Sequence, residues 1–98
     1  MKRRSEPVPL SLIFSALSDP VRLEIVQVLL KERELPCGHC RTGLSKSTMS
    51  HHFKVLREAG IIRKRADGKT HHISIVVEEL EARLPGLLKA IRKAGGPL

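Results

Sequence analysis

The hydrophobic period of this chain changes at Gly60, and that change limits the folds open to it. Upstream, Met49, Phe53 and Leu56 stand at i, i+4 and i+7, so residues 45–60 form one amphipathic helix with an apolar stripe. Ser45 or Ser47 is placed to cap its start through a side-chain oxygen. Gly60 is placed to end it in the left-handed conformation. Downstream, the β-prone runs 61–66 and 69–75 flank Asp67-Gly68, a strong short hairpin signal.

The segments around this unit are helical. Leu10, Ile13, Phe14 and Leu17 follow helical spacing over 10–17, a helix too short to stand without packing. Asp19 suits an N-cap and Pro20 the first helical position, so a second helix runs over 21–33. Its apolar residues cover most of the circumference, as expected of the central helix of a small bundle. Pro36 ends this region; residues 37–42 suit one or two helical turns, and Gly43-Leu44 turns into the 45–60 helix. Short helix, glycine turn and longer helix make a helix-turn-helix arrangement. Over 76–93, Leu80, Leu84, Leu87, Leu88 and Ile91 line one helical face, with a kink or break demanded at Pro85. The expected class is mainly α with a small β-hairpin. Residues 1–9 form a flexible basic arm, 10–93 one domain and 94–98 a frayed tail.

A single domain of 98 residues buries a modest core and offers little cover for both terminal helical segments. A two-fold homodimer is therefore expected, with Leu10, Ile13, Phe14, Leu80, Leu84, Leu87, Leu88 and Ile91 at its interface.

Charge narrows the partner. The net charge of +8 favours a polyanion, nucleic acid before a membrane surface. With no Trp or Tyr and two Phe, the chain lacks the aromatic platforms on which single strands stack, which leaves double-stranded DNA. No apolar run approaches the length of a membrane span, and the basic N-terminus leads into no signal-peptide core, so a cytoplasmic location is expected. On the helix of 45–60, Ser47, Ser50, His51, Lys54 and Glu58 occupy the face opposite the apolar stripe. That face is small and polar enough to enter a major groove, although a solvated surface helix would look the same in isolation. The charge of the neighbouring hairpin decides between them. From Lys54 to Lys69 only Glu58 and Asp67 oppose the basic residues, and Arg63, Lys64, Arg65 and Lys69 crowd the hairpin. A basic hairpin after such a helix is a wing. Lys54, Arg63, Lys64, Arg65 and Lys69 are expected on phosphate.

The motifs also carry a family likeness. Ala16-Leu17-Ser18-Asp19-Pro20-Val21-Arg22-Leu23 resembles the opening of the ArsR/SmtB-type (arsenic-repressor) regulators. Lys46-Ser47-Thr48-Met49-Ser50-His51-His52-Phe53-Lys54-Val55-Leu56-Arg57-Glu58-Ala59-Gly60-Ile61-Ile62 is similar to their recognition helix and its exit into the wing, and Pro85-Gly86-Leu87-Leu88 recurs in part of the family. The likeness spans residues 10–91. It implies a winged helix-turn-helix homodimer that represses from a palindromic operator and is released by a metal, a metalloid or a thiol oxidant. It also implies that Ser47, Thr48, Ser50 and His51 face the major groove, while His52 packs or hydrogen-bonds inward.

Cys37-Gly38-His39-Cys40 is where specific chemistry would reside. Arsenic-responsive relatives carry Cys-x-Cys-x-x-Cys on the short helix; here Cys37 and Cys40 match the last two, and no third cysteine exists. Two thiolates can hold As(III) or Sb(III), less tightly than three. Zinc or cadmium is disfavoured, because a closed site wants four ligands and neither the arm nor the last helix carries Cys or His. A thiol switch is the third reading, since Cys-Gly-His-Cys resembles the disulfide-isomerase tetrapeptide and His39 would favour a Cys37 thiolate. An oxidoreductase itself lacks its βαβ context here, so the chain is expected not to be an enzyme. Against all three stands a packing role for two small hydrophobes, in a regulator that needs no effector.

Overall fold

A computed structural model describes residues 8–36 and 46–94. The arm up to residue 7, the expected short helix with Cys37 and Cys40, the Gly43-Leu44 turn, Ser45 and the tail from 95 lie outside them.

The chain runs as α1 (Leu10–Leu17), α2 (Pro20–Glu32), β1 (Glu34–Pro36), α3 (Lys46–Glu58), β2 (Ile62–Asp67), β3 (Thr70–Ile75), α4 (Val77–Arg83) and α5 (Leu87–Ala94). α2 begins as its sequence predicts: the Asp19 side chain accepts from the N–H groups of Val21, at 2.8 Å, and Arg22, at 3.3 Å, with Pro20 in the first turn. It lies at the centre of the core, burying Ile25, Val26 and Leu29. α1 supplies Ile13, Ala16 and Leu17, α3 supplies Met49, Phe53 and Leu56, and the hairpin supplies Ile62, Ile73 and Ile75 from its base.

The hairpin forms, with two differences from expectation. Pairing continues to Asp67↔Thr70, so the turn is Gly68-Lys69 and Asp67 closes the strand. Gly68 has φ 64 at the first central position, which a glycine adopts without steric cost in a primed hairpin turn. A third strand also joins the sheet, whose order is β1-β3-β2. β1 pairs antiparallel with β3 at Glu34↔Ser74, Leu35↔Ile73 and Pro36↔His72. Three residues carry no readable period, and Pro36 is tolerated because β1 is an edge strand.

The last helical segment breaks into α4 and α5 around Pro85, with Gly86 at φ 90. The residues expected at a dimer face divide here by burial. Ile13, Leu80, Leu88 and Ile91 are buried within the single chain, where α1 and α5 find cover on α2 and α4 packs on α5. Leu84 and Leu87 are half-buried against the same core. Of that set, Leu10 at 43% and Phe14 at 49% remain exposed, one turn apart on α1. Val8, within the expected arm, packs against the core, and its carbonyl accepts from Arg83 Nη1 at 2.6 Å.

Candidate nucleic-acid interface

α3 is amphipathic in the way its spacing predicts. Met49, Phe53 and Leu56 are buried, while Ser47, Thr48, Ser50, His51 and Lys54 are exposed. Its helix starts at Lys46, so Ser47 lies in the first turn rather than at the cap. One polar residue joins the buried side: His52, at 8% exposure. Its Nδ1 lies 3.1 Å from Nη1 of Arg22, whose Nε donates to the Ala16 carbonyl at 2.7 Å. The inward setting of His52 was legible, but Arg22 as its partner was not. The two are thirty residues apart in sequence, and nothing local links them. Next to them, burial alone would raise the Asp19 carboxyl. The N–H groups of Arg22 and Val21, with the positive charge of Arg22, outweigh burial and hold it below the usual carboxylate value.

The wing continues from α3 through Ile61 and Ile62, which anchor its base in the core. Beyond them β2 is exposed to its end, and Arg63, Lys64, Arg65 and Lys69 all reach solvent. Strand alternation divides these cations between two faces. Arg63 and Arg65 pair with Ser74 and His72, whereas Lys64 pairs with Ile73 on the core side. Arg63 and Arg65 line a groove of about 890 Å³ that also touches the end of α2, α4 and α5, including Val77, Lys89 and Arg92. No residue of α3 contributes to that groove.

Arg65 also has an anion within the chain. Its Nη2 lies 2.9 Å from Glu34 Oε1 and its Nε 3.4 Å from Oε2, a two-pronged contact from the wing to β1. Hydrogen bonding from Arg65 holds the Glu34 carboxyl below its ordinary value and raises the guanidinium in return. His72 stands nearby, with Nδ1 3.6 Å from Glu34 Oε1 and Nε2 3.9 Å from Asp67 Oδ2. Glu34 was not foreseen, since its role depends on the unpredicted strand β1.

The paired histidines do not converge. The rings of His51 and His52 are 5.8 Å apart and tilted by 57°, while His71 and His72 alternate across the strand. Among the described residues no group of three or more His, Cys, Asp and Glu side chains is arranged to hold a metal ion. No helix of the described residues is long and apolar enough to cross a membrane.

An exposed polar helix face, a clamped inner face and a basic hairpin together suit the reading of a duplex groove and the neutralising of its phosphates. Comparison with known proteins agrees with this geometry. A helix-turn-helix domain family matches residues 17–65. An uncharacterised HTH-type transcriptional regulator of Bacillus subtilis (strain 168), YceK, is 40% identical over 82 residues, covering 81% of this chain and 82% of that protein. The transcriptional repressor SdpR of the same organism is 30% identical over 88 residues, covering 88% and 97%. The solved structure of HlyU from Vibrio cholerae N16961 superposes with a TM-score of 0.70 at 26% identity, covering 86% of this chain and 88% of that one.

Proposed function

The chain belongs to the ArsR/SmtB-type winged helix-turn-helix transcriptional regulators, which bind DNA, and on that premise we propose a homodimeric repressor of a palindromic operator, released by a thiol-reactive effector at Cys37 and Cys40. The observation that carries the DNA-reading role is the division of α3. Ser47, Thr48, Ser50 and His51 lie outward for base edges, with Lys54 among them for phosphate, while the other side is locked in the core. Lys64 and Lys69 add phosphate contacts from the wing, with Arg63 and Arg65 on its outer face. The named repressor SdpR among the relatives supports the direction of regulation.

Two half-sites about one helical turn apart require two copies of α3. The exposed pair Leu10 and Phe14 supplies an apolar surface for the second copy. The double substitution Leu10→Glu with Phe14→Glu yields a folded monomer by sedimentation and lowers affinity for the two-site duplex far more than for a single half-site.

The effector reading is supported by the Cys-x-x-Cys spacing and by its neighbouring strand. Cys37 directly follows β1, which is hydrogen-bonded to the wing strand β3 and linked through Glu34 to Arg65. As(III) or Sb(III) bridging the two thiolates, or their oxidation to a disulfide, would act one residue from that strand. Operator binding titrated with As(III), Zn(II), Cd(II) and a disulfide-forming oxidant, in wild type and in Cys37→Ser with Cys40→Ser, tests it. Release by As(III) or oxidant in wild type alone is expected. Equal behaviour of the two proteins marks a regulator whose cysteines only pack.

A further inference from the structure

We infer that Arg22 and His52 form a strut that sets the rotation of α3 for base reading, and that the strut holds only while the His52 ring is neutral; this rests on the DNA-reading role of α3 proposed above. Arg22 stands in the first turn of α2, and its guanidinium works in two directions. Nε donates to the carbonyl of Ala16 near the end of α1, at 2.7 Å, and Nη1 meets Nδ1 of His52 in α3 at 3.1 Å. The backbone N–H of the same residue is held by Asp19. One side chain therefore ties three helices together.

The bond has a determined polarity. An arginine carries donors and no acceptor, so the contact is a hydrogen bond only if Nδ1 accepts, which places the ring hydrogen on Nε2. His52 is buried, so water is not at hand to replace a lost partner. Among the described residues, no buried side-chain nitrogen or oxygen lacks a hydrogen bond. Met49, Phe53 and Leu56 hold α3 against the core by apolar packing, which is non-directional and sets rotation about the helix axis less sharply than a hydrogen bond does. A hydrogen bond from the inner face specifies it. Any rotation that lengthens the His52 bond swings Ser50, His51 and Lys54 together on the outer face.

Protonation of His52 places a hydrogen on Nδ1, pointing at Nη1, and a second positive charge beside the guanidinium. Among the described residues, the charged and titratable groups recorded with the ring are Arg22 of α2, Asp19 at the N-cap of α2 and His51 on its own helix. Asp19 is the anion among them, and it is already engaged by Val21 and Arg22. A protonated ring therefore cannot accept from Arg22, and in that state α3 is loosened. The sign is diagnostic, because added positive charge would by itself tighten binding to a polyanion.

The test measures affinity for a duplex selected from a random library, at constant salt, at about pH 7.5 and about pH 5.5. It compares wild type, His52→Asn, His52→Leu and Arg22→Lys, with ring ¹⁵N shifts of His52 and thermal melts in parallel. Wild type is expected to lose about tenfold in affinity where the ring shifts show His52 protonated, the size of one charge-assisted hydrogen bond. His52→Asn offers Oδ1 where Nδ1 stood and does not titrate, so it keeps neutral affinity within about threefold and loses the acid response. His52→Leu and Arg22→Lys bind about tenfold more weakly at neutral pH, with relaxed base preference and an unchanged salt slope. An acid loss retained in His52→Asn, a ring carrying its hydrogen on Nδ1 at neutral pH, or His52→Leu with wild-type affinity and preference overturns the strut. Should His52→Leu not fold, His52→Asn and the ring shifts decide. Failure of wild type to bind any duplex removes the DNA reading and the inference with it, and intact ring shifts distinguish that from failure of the strut alone.

Discussion

α3 and the wing hairpin are both basic and adjacent in sequence, yet they are held in different ways. α3 is clamped along its length by Met49, His52, Phe53 and Leu56. β2 is anchored by Ile62 at its base and is exposed from Arg63 to Asp67. The difference follows the physics of the two tasks. A base edge is read by hydrogen bonds that weaken steeply with misalignment, so the reading element has to be fixed. Attraction to phosphate acts over a Debye length, about 10 Å at 0.1 M salt, and needs less exact placement of the hairpin. The wing also commits part of its charge internally, through Arg65 to Glu34, whereas Lys54 on α3 has no ion-pair partner among the described residues.

The largest effect that tests this contrast is on stability. Leu56→Ala, at a fully buried site of α3, is expected to cost about 2–5 kcal/mol in denaturant unfolding. Lys64→Ala on the wing should stay within about 0.5 kcal/mol. Comparable losses would break the distinction between clamped helix and free hairpin.

On DNA, His51→Ala is expected to remove about 1–3 kcal/mol of discrimination between sequences with little change in salt dependence. Lys54→Ala should weaken all sequences alike and reduce the salt slope by about one counterion. Anisotropy titrations over a salt series on matched and mismatched duplexes separate the two roles.

The clamp of α3 depends on α2 beginning where it does. Asp19→Ala should cost about 1 kcal/mol as the loss of an N-cap. Because the Asp19 carboxyl is held below its unfolded value, its contribution is complete above the ordinary carboxylate range and disappears as pH falls through the lowered folded value. Thermal melts of wild type and variant should therefore converge in acid; a constant gap would mean the cap acts by packing alone.

The smallest effect sharpens the account of the wing. Glu34→Gln releases Arg65 from its partner and should raise DNA affinity slightly, with a steeper salt slope. In the unaltered background Arg65→Ala should reduce that slope less than Lys69→Ala does. The reverse order would show that the Glu34 contact gives way when DNA binds.

Periodicity and turn chemistry were sufficient for α1, α2, α3 and the hairpin, because each is specified by neighbours within a few positions. Asp19-Pro20 announces α2, the stripe Met49, Phe53 and Leu56 announces α3, and Gly68 announces the turn to within one residue. Contacts between distant residues were not legible. β1 is too short to carry a period and exists because β3 offers it an edge. Glu34 meets Arg65, and Arg22 meets His52, across about thirty positions that only folding closes. The spacing of Ile13, Leu80, Leu88 and Ile91 showed that they needed cover, while the cover within the chain comes from the packing of α1 and α5 on α2 and of α4 on α5.

The sequence by itself determined that residues 45–60 make a two-faced helix leading into a basic hairpin, because helical and strand periods and the signs of charges are local properties of the chain. Tertiary structure alone decided which cations stay free, which apolar residues face outward and what holds the reading helix in rotation. Those outcomes depend on distances between residues far apart along the chain, and no local pattern encodes such a distance.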